Sequence, residues 1–137
     1  MKKSKIQQII QYTLVLLVTA VLFGFSTSCS KDDDDDTPAG KAHKVVFKAT
    51  ASAGSNIDVA VYGYDSTITT ASSLSGTTWT SPEITSPAGA YNVNIGVNAT
   101  GASSSSTLKV QIYVDGELKK EGTSSGQILS ASANYTF

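Results

Sequence analysis

Four segments of this chain alternate apolar and polar residues with a period of two, and that pattern decides the class of fold. Val45, Phe47 and Ala49 alternate with Lys44, Val46 and Lys48, and Ile57, Val59 and Val61 alternate with Asp58, Ala60 and Tyr62. Further on, Val93, Ile95 and Val97 alternate with Asn92, Asn94 and Asn98, and Leu108, Val110, Ile112 and Val114 with Lys109, Gln111, Tyr113 and Asp115. A strand sends successive side chains to opposite sides, so one apolar side marks a half-buried antiparallel strand. No 3.6-residue repeat of the kind a helix needs is visible after Cys29.

Turn chemistry and composition agree. Asp115-Gly116 supplies a two-residue hairpin turn, because both residue types tolerate positive φ, and leads into a strand over Glu117–Glu121. A last strand is expected over Ile128–Phe137, and a weaker one over Trp79–Thr85, held to an edge by Pro82. Ser103–Ser106 and Thr123–Gly126 read as loops. Sixteen serines and twelve threonines among residues 41–137 disfavour helices and suit strands joined by turns. The expected fold is all-β, an immunoglobulin-like β-sandwich of about seven strands. A membrane β-barrel is the poorer account, since eight strands of about 9–11 residues would use up the domain and leave polar residues facing a very narrow lumen. Trp79 is expected to plug the core. Tyr62 and Tyr64 fall on the side opposite Ile57 and Val59. With Tyr113 they make a candidate aromatic binding patch, the alternative being that they cover the sheet's second face.

The first 40 residues belong to another physical regime. Lys2, Lys3 and Lys5 precede a mostly apolar run of 14 positions from Tyr12 to Phe25, and small residues Ser26-Thr27-Ser28 follow. Basic start, apolar middle and small residues before a break are the parts of a secretory signal. The run is shorter than the roughly 20 residues a membrane-spanning helix needs. The lone cysteine, Cys29, stands where the signal should end. Ser26-Thr27-Ser28-Cys29 resembles a relaxed bacterial lipobox, with Ser26 where the strict pattern prefers leucine. The resemblance implies diacylglycerol on the Cys29 sulfur, cleavage before it, and fatty acyl chains such as palmitate on the new amino terminus. Only a thiolate is nucleophilic enough for that attachment at neutral pH. Asp32–Asp36 then forms an acidic block that repels itself and stays extended. Just after a lipidated cysteine, such a block resembles the export signal of Bacteroidetes surface lipoproteins, which implies display on the outer leaflet of the outer membrane. The expected organisation is a signal peptide over 1–28, a lipidated cysteine and flexible tether over 29–42, and a β-sandwich over 43–137. From Ser30 to Lys41 the tether reaches at most ~40 Å at about 3.5 Å per residue.

Several chemistries lack their residues. One cysteine excludes an internal disulfide framework, and one histidine with one cysteine excludes a zinc site built from those ligands. A net charge of −1 with no arginine argues against nucleic acid as a partner. No Gly-rich phosphate loop follows a strand. His43, the only imidazole, lies where tether meets first strand and is expected to be solvated and frayed. Asp58, Asp65, Glu83 and Asp115 have no evident reason to converge as a catalytic pair. We therefore expect no catalytic, cofactor or metal site, and a non-enzymatic protein that binds an unidentified protein or glycan. Asp65-Ser66-Thr67 resembles the O-glycosylation motif of exported Bacteroidetes proteins and makes Ser66 a candidate acceptor. Asn98-Ala99-Thr100 and Asn134-Tyr135-Thr136 match the eukaryotic N-glycosylation pattern by chance in such a protein.

The C-terminal half carries one further likeness. Ile112-Tyr113-Val114-Asp115-Gly116, Thr123-Ser124-Ser125-Gly126 and Ala131-Ser132-Ala133 resemble the end of the MmpS-type family of small mycobacterial membrane proteins. That resemblance implies a membrane-tethered immunoglobulin-like domain. It also implies, as the alternative to surface display, a periplasm-facing accessory subunit of an export complex. The chain departs from that family in having a candidate lipidated cysteine for an anchor and no paired cysteines in the domain.

Overall fold

The structure, a computed structural model, describes residues 40–137. Nine strands follow one another: β1 (His43–Ala51), β2 (Asn56–Tyr64), β3 (Thr67–Ala71), β4 (Thr78–Thr80), β5 (Ile84–Ser86), β6 (Asn92–Thr100), β7 (Thr107–Val114), β8 (Glu117–Ser125) and β9 (Ile128–Thr136). All pairings are antiparallel. The first sheet runs β4-β1-β7-β8, with β5 beside β4 on the same flank of β1; the second runs β3-β2-β6-β9. The described residues thus form an all-β sandwich of immunoglobulin-like kind, with nine strands where the sequence pattern predicts about seven.

The alternating residues supply the core. Val45, Phe47 and Ala49 of β1 and Leu108, Val110, Ile112 and Val114 of β7 face Val93, Ile95 and Val97 of β6 across the sandwich, all buried. Leu129, Ala131 and Ala133 of β9 complete the layer. Asp115 (φ 51°) and Gly116 (φ 81°) both adopt positive φ, as a hairpin turn matched to strand twist requires.

The second strand corrects the simple alternation. Ile57 pairs with Ala99 and Val59 with Asn98, so Asp58 is an extra residue, a β-bulge, and parity flips beyond it. Ala60 and Tyr62 then point inward, whereas Val61 is 37% exposed. Asp58 anchors the bulge: its carboxylate accepts from Asn56 Nδ2 (2.6 Å) and Thr100 Oγ1 (2.9 Å), and its carbonyl from Leu74 N–H (3.1 Å).

Three other expectations are revised. The Trp79–Thr85 strand is two, β4 and β5, both on β1 and separated at Ser81-Pro82-Glu83, because proline cannot donate to the ladder. β3 was unforeseen, since Thr-Ile-Thr-Thr-Ala shows no apolar alternation. Thr123–Ser125 is strand and not loop, lying in β8 opposite Thr107–Lys109. Ser103–Ser106 is the expected loop, closed by Ser103 N–H on Ser106 Oγ (3.0 Å) and Ser106 N–H on the Ser103 carbonyl (3.1 Å).

Candidate binding surface

The three tyrosines do not form a patch. The bulge turns Tyr62 into the core, 5% exposed, where its ring meets Phe47 of the opposite sheet at 5.3 Å and Trp79 at 5.2 Å. Tyr64 follows on the same inner side, half-buried against the core. Tyr113 lies on the outer side of the other sheet, half-buried beneath Lys48, whose Nζ sits 4.6 Å from the ring centroid. The three rings therefore share no surface, and Trp79 is half-buried, packed against the edge of the core and not inside it. Ser66 is exposed in the β2–β3 turn, beside Asp65 (φ 46°). Asp65 Oδ1 accepts from the Tyr91 and Asn92 N–H groups, both at 3.0 Å, which pins that turn to the start of β6. Cys29 and the acidic block lie outside the described residues.

His43 is half-buried and held in place, not frayed. Its Nδ1 donates to Asp115 Oδ2 at 2.7 Å, and its ring stacks on Phe137 at 4.6 Å, with the planes 9° apart. Asp115 Oδ1 also accepts the Lys44 N–H at 3.0 Å. The His43 bond first, and the Lys44 N–H second, hold the Asp115 carboxyl below the usual carboxylate range. Glu117, Lys119 and Tyr135 line the rest of this cleft of about 200 Å³, and Lys119 is ion-paired with Glu117. Among the described residues no Ser, Thr or Cys lines it to serve as a nucleophile beside the imidazole. The arrangement clamps the start of β1 to the β7–β8 turn and the chain end. No local pattern announces the cluster, because His43 and Asp115 stand 72 residues apart in sequence. Among the described residues no three of His, Cys, Asp and Glu gather to hold a metal ion.

Charge is divided unequally between the two sheets. Among the described residues all six lysines lie in the first sheet's strands or just before them: Lys41, then Lys44 and Lys48 of β1, Lys109 of β7, and Lys119 and Lys120 of β8. They are interleaved with acids there, as in the Lys44–Glu83 pair (2.7 Å) and the Lys109–Glu121 pair (3.6 Å). The second sheet's strands hold one charged residue, Asp58, and it is spent on the bulge. Its outer side presents Asn94, Gly96 and Asn98 of β6 beside Asn134, Ser132 and Ser130 of β9, with Thr70 and Ile68 of β3 next to Val61 of β2. An array of amides and hydroxyls offers hydrogen-bond donors and acceptors repeating at the usual strand spacing of about 4.8 Å, with little Coulombic demand on a partner. Sequence reasoning missed this surface. Its signal was present in the uncharged stretches Ser66–Pro82 and Ile84–Leu108.

Comparison with known proteins adds no relative: no family model matches the chain, and no curated protein matches it.

Proposed function

We propose that this chain is a non-enzymatic outer-membrane lipoprotein, anchored by acyl chains on Cys29, that displays its β-sandwich at the cell surface as a binding or adhesion module. The anchor reading rests on the sequence Ser26-Thr27-Ser28-Cys29 followed by Asp32–Asp36. A single acyl chain holds a protein only marginally at a bilayer, with a binding constant of ~10⁴ M⁻¹, whereas several chains anchor it stably. The module reading rests on one observation above the others, the uncharged amide and hydroxyl surface of the second sheet. Such a surface suits a neutral glycan or an uncharged protein surface, since desolvating its amides and hydroxyls costs no ionic hydration and its one carboxylate, Asp58, stands at the bulged end bonded to Thr100. The His43–Asp115 pair, in contrast, is committed to packing and orientation.

Mass spectrometry of the mature amino-terminal peptide tests the anchor. The expected result is a peptide beginning at Cys29 and heavier by its acyl chains. A start elsewhere, with an ordinary free thiol at Cys29, overturns the lipoprotein reading. Protease shaving of intact cells tests the location: loss of the domain supports display, and protection supports the periplasmic accessory subunit implied by the MmpS-like C-terminal half. The exposed turn position of Ser66 supports it as a glycan acceptor, read as a mass increment that Ser66→Ala removes.

A further inference from the structure

Every open sheet ends in strands with one unsatisfied backbone side, and an added strand from another chain completes that side with main-chain hydrogen bonds. In this sandwich three of the four ends are blunted. On the first sheet, β4 and β5 are three residues each and are separated by Pro82, with the Lys44–Glu83 pair alongside. At its other end β8 carries Glu117, Lys119, Lys120 and Glu121 and lies against β9, so β8 and β9 cover each other. A β-carbon at Gly122 would run into the Ser132 carbonyl oxygen, a sign of how closely those two backbones approach.

β3 alone is left open. It has β2 on one side and no strand on the other among the described residues. Thr67, Ile68, Thr69 and Thr70 are all exposed, Ile68 by 46%. No charged residue and no proline before Pro82 interrupts Ser66–Pro82, and β-branched residues fill four of the strand's five positions. Among the described residues no charge, proline or covering segment guards this edge.

We propose that β3 is the docking edge for β3 of a second copy of this chain, the two adding antiparallel about a two-fold axis at Thr69 so that two four-stranded sheets become one of eight. The second copy is favoured as occupant by self-complementarity. Centring the register on Thr69 sets Ile68 opposite Thr70 and Thr67 opposite Ala71, and the strand ends there, since Asp65 and Ser73 both turn away at positive φ. Every charge occurs twice in a symmetric pair, yet here none meets its own kind, and like charges directly opposite are what destabilise such pairing. The faces also agree. Ile68 and Thr70 both lie on the outer side, since they pair with Gly63 and Val61, so the cross-strand contact covers the exposed isoleucine.

The two-fold axis has a directional consequence. It reverses the second copy, so the two His43 ends, where the tethers enter, point away from each other. On the surface-display reading, on which this part alone rests, the partners sit on facing membranes, and the contact is homophilic adhesion between cells.

Sedimentation velocity of the full chain in mild detergent tests the edge. A concentration-dependent dimer is expected, converted to monomer by the pair Ile68→Lys and Thr70→Lys and retained by Thr123→Lys in β8 of the other sheet. As a second measure independent of the lysine variants' folding, Thr69→Cys should form a disulfide dimer on mild oxidation, where the wild type with Cys29 alone does not. A wild type monomeric at all concentrations, or a dimer indifferent to the lysine pair, overturns the proposal whatever the mass at Cys29. For the directional part, phospholipid vesicles carrying the full chain should cluster and those carrying the lysine pair should not. Dimers in detergent with dispersed vesicles would overturn the facing-membrane geometry and leave the edge standing.

Discussion

Asp58 shows how much one inserted residue decides. Without it Ile57, Val59 and Val61 would face the core as their spacing predicts. With it Ala60 and Tyr62 do, because a shift of one residue moves every later side chain to the other side. Lysine substitution reads this directly. We expect Val61→Lys to stay within about 0.5 kcal/mol of wild type in urea unfolding, since its side chain already meets water. Ala60→Lys should cost several kcal/mol, since Ala60 is fully buried and no anion waits for the ammonium. The reverse order would show that the bulge is absent. The corner residue Asp115 makes a second prediction. Its folded carboxyl titrates below the unfolded value of about 4, so its contribution is present above that value and is lost as pH falls through the lower, folded one. Asp115→Asn, which still tolerates the turn's positive φ, should therefore flatten the acid limb of stability below about pH 4 and leave its shape near neutrality unchanged. An unaltered acid limb in pH-dependent denaturation would refute the His43 clamp.

The strands divide into those whose side chains announced them and those set by their neighbours. β1, β6 and β7 were legible because each has one wholly apolar side and sits inside a sheet, where that side must be covered. β3 was not, because Thr67–Ala71 is held by backbone pairing to β2 at an edge and buries almost nothing of its own. The end of β8 is hidden in the sequence because Thr123-Ser124-Ser125 resembles a loop, yet β7 lies opposite and pairs it to Ser125. The same strand contains the tightest backbone approach to its successor. At Gly122 a β-carbon would strike the Ser132 carbonyl and press on Val110 Cγ2, and neither is the free end of a flexible side chain. Gly122→Ala should cost about 1–3 kcal/mol in chemical denaturation, the usual range for overpacking. Gly96→Ala, where open space surrounds the added carbon, is the paired control and should cost far less.

At the scale of the molecule, one core joins the sheets, and the aromatic trio Phe47, Tyr62 and Trp79 crosses between them. Much of the remaining core is alanine and valine, so the trio carries a disproportionate share of the buried apolar area. Tyr62→Ala should lower stability by about 3–5 kcal/mol, with both sheets still melting in one transition by near- and far-ultraviolet circular dichroism. Separate transitions would show that the sheets are independent. The fold class was legible at this scale because period-two patterning is the direct imprint of a two-layer core. The candidate surface was not, because an uncharged polar side is defined by what it lacks, and only the topology gathers β2, β3, β6 and β9 into one sheet.

The one-sided placement of lysine has a practical corollary for anyone measuring this protein. Within residues 40–137, amine-reactive dyes and biotin esters will decorate Lys41 and the lysines of β1, β7 and β8 and leave the amide-rich side bare. A sensor chip coupled through primary amines of the domain will therefore hold the molecules with their asparagines turned toward the flowing analyte, an orientation inherited from the fold and requiring no added tag.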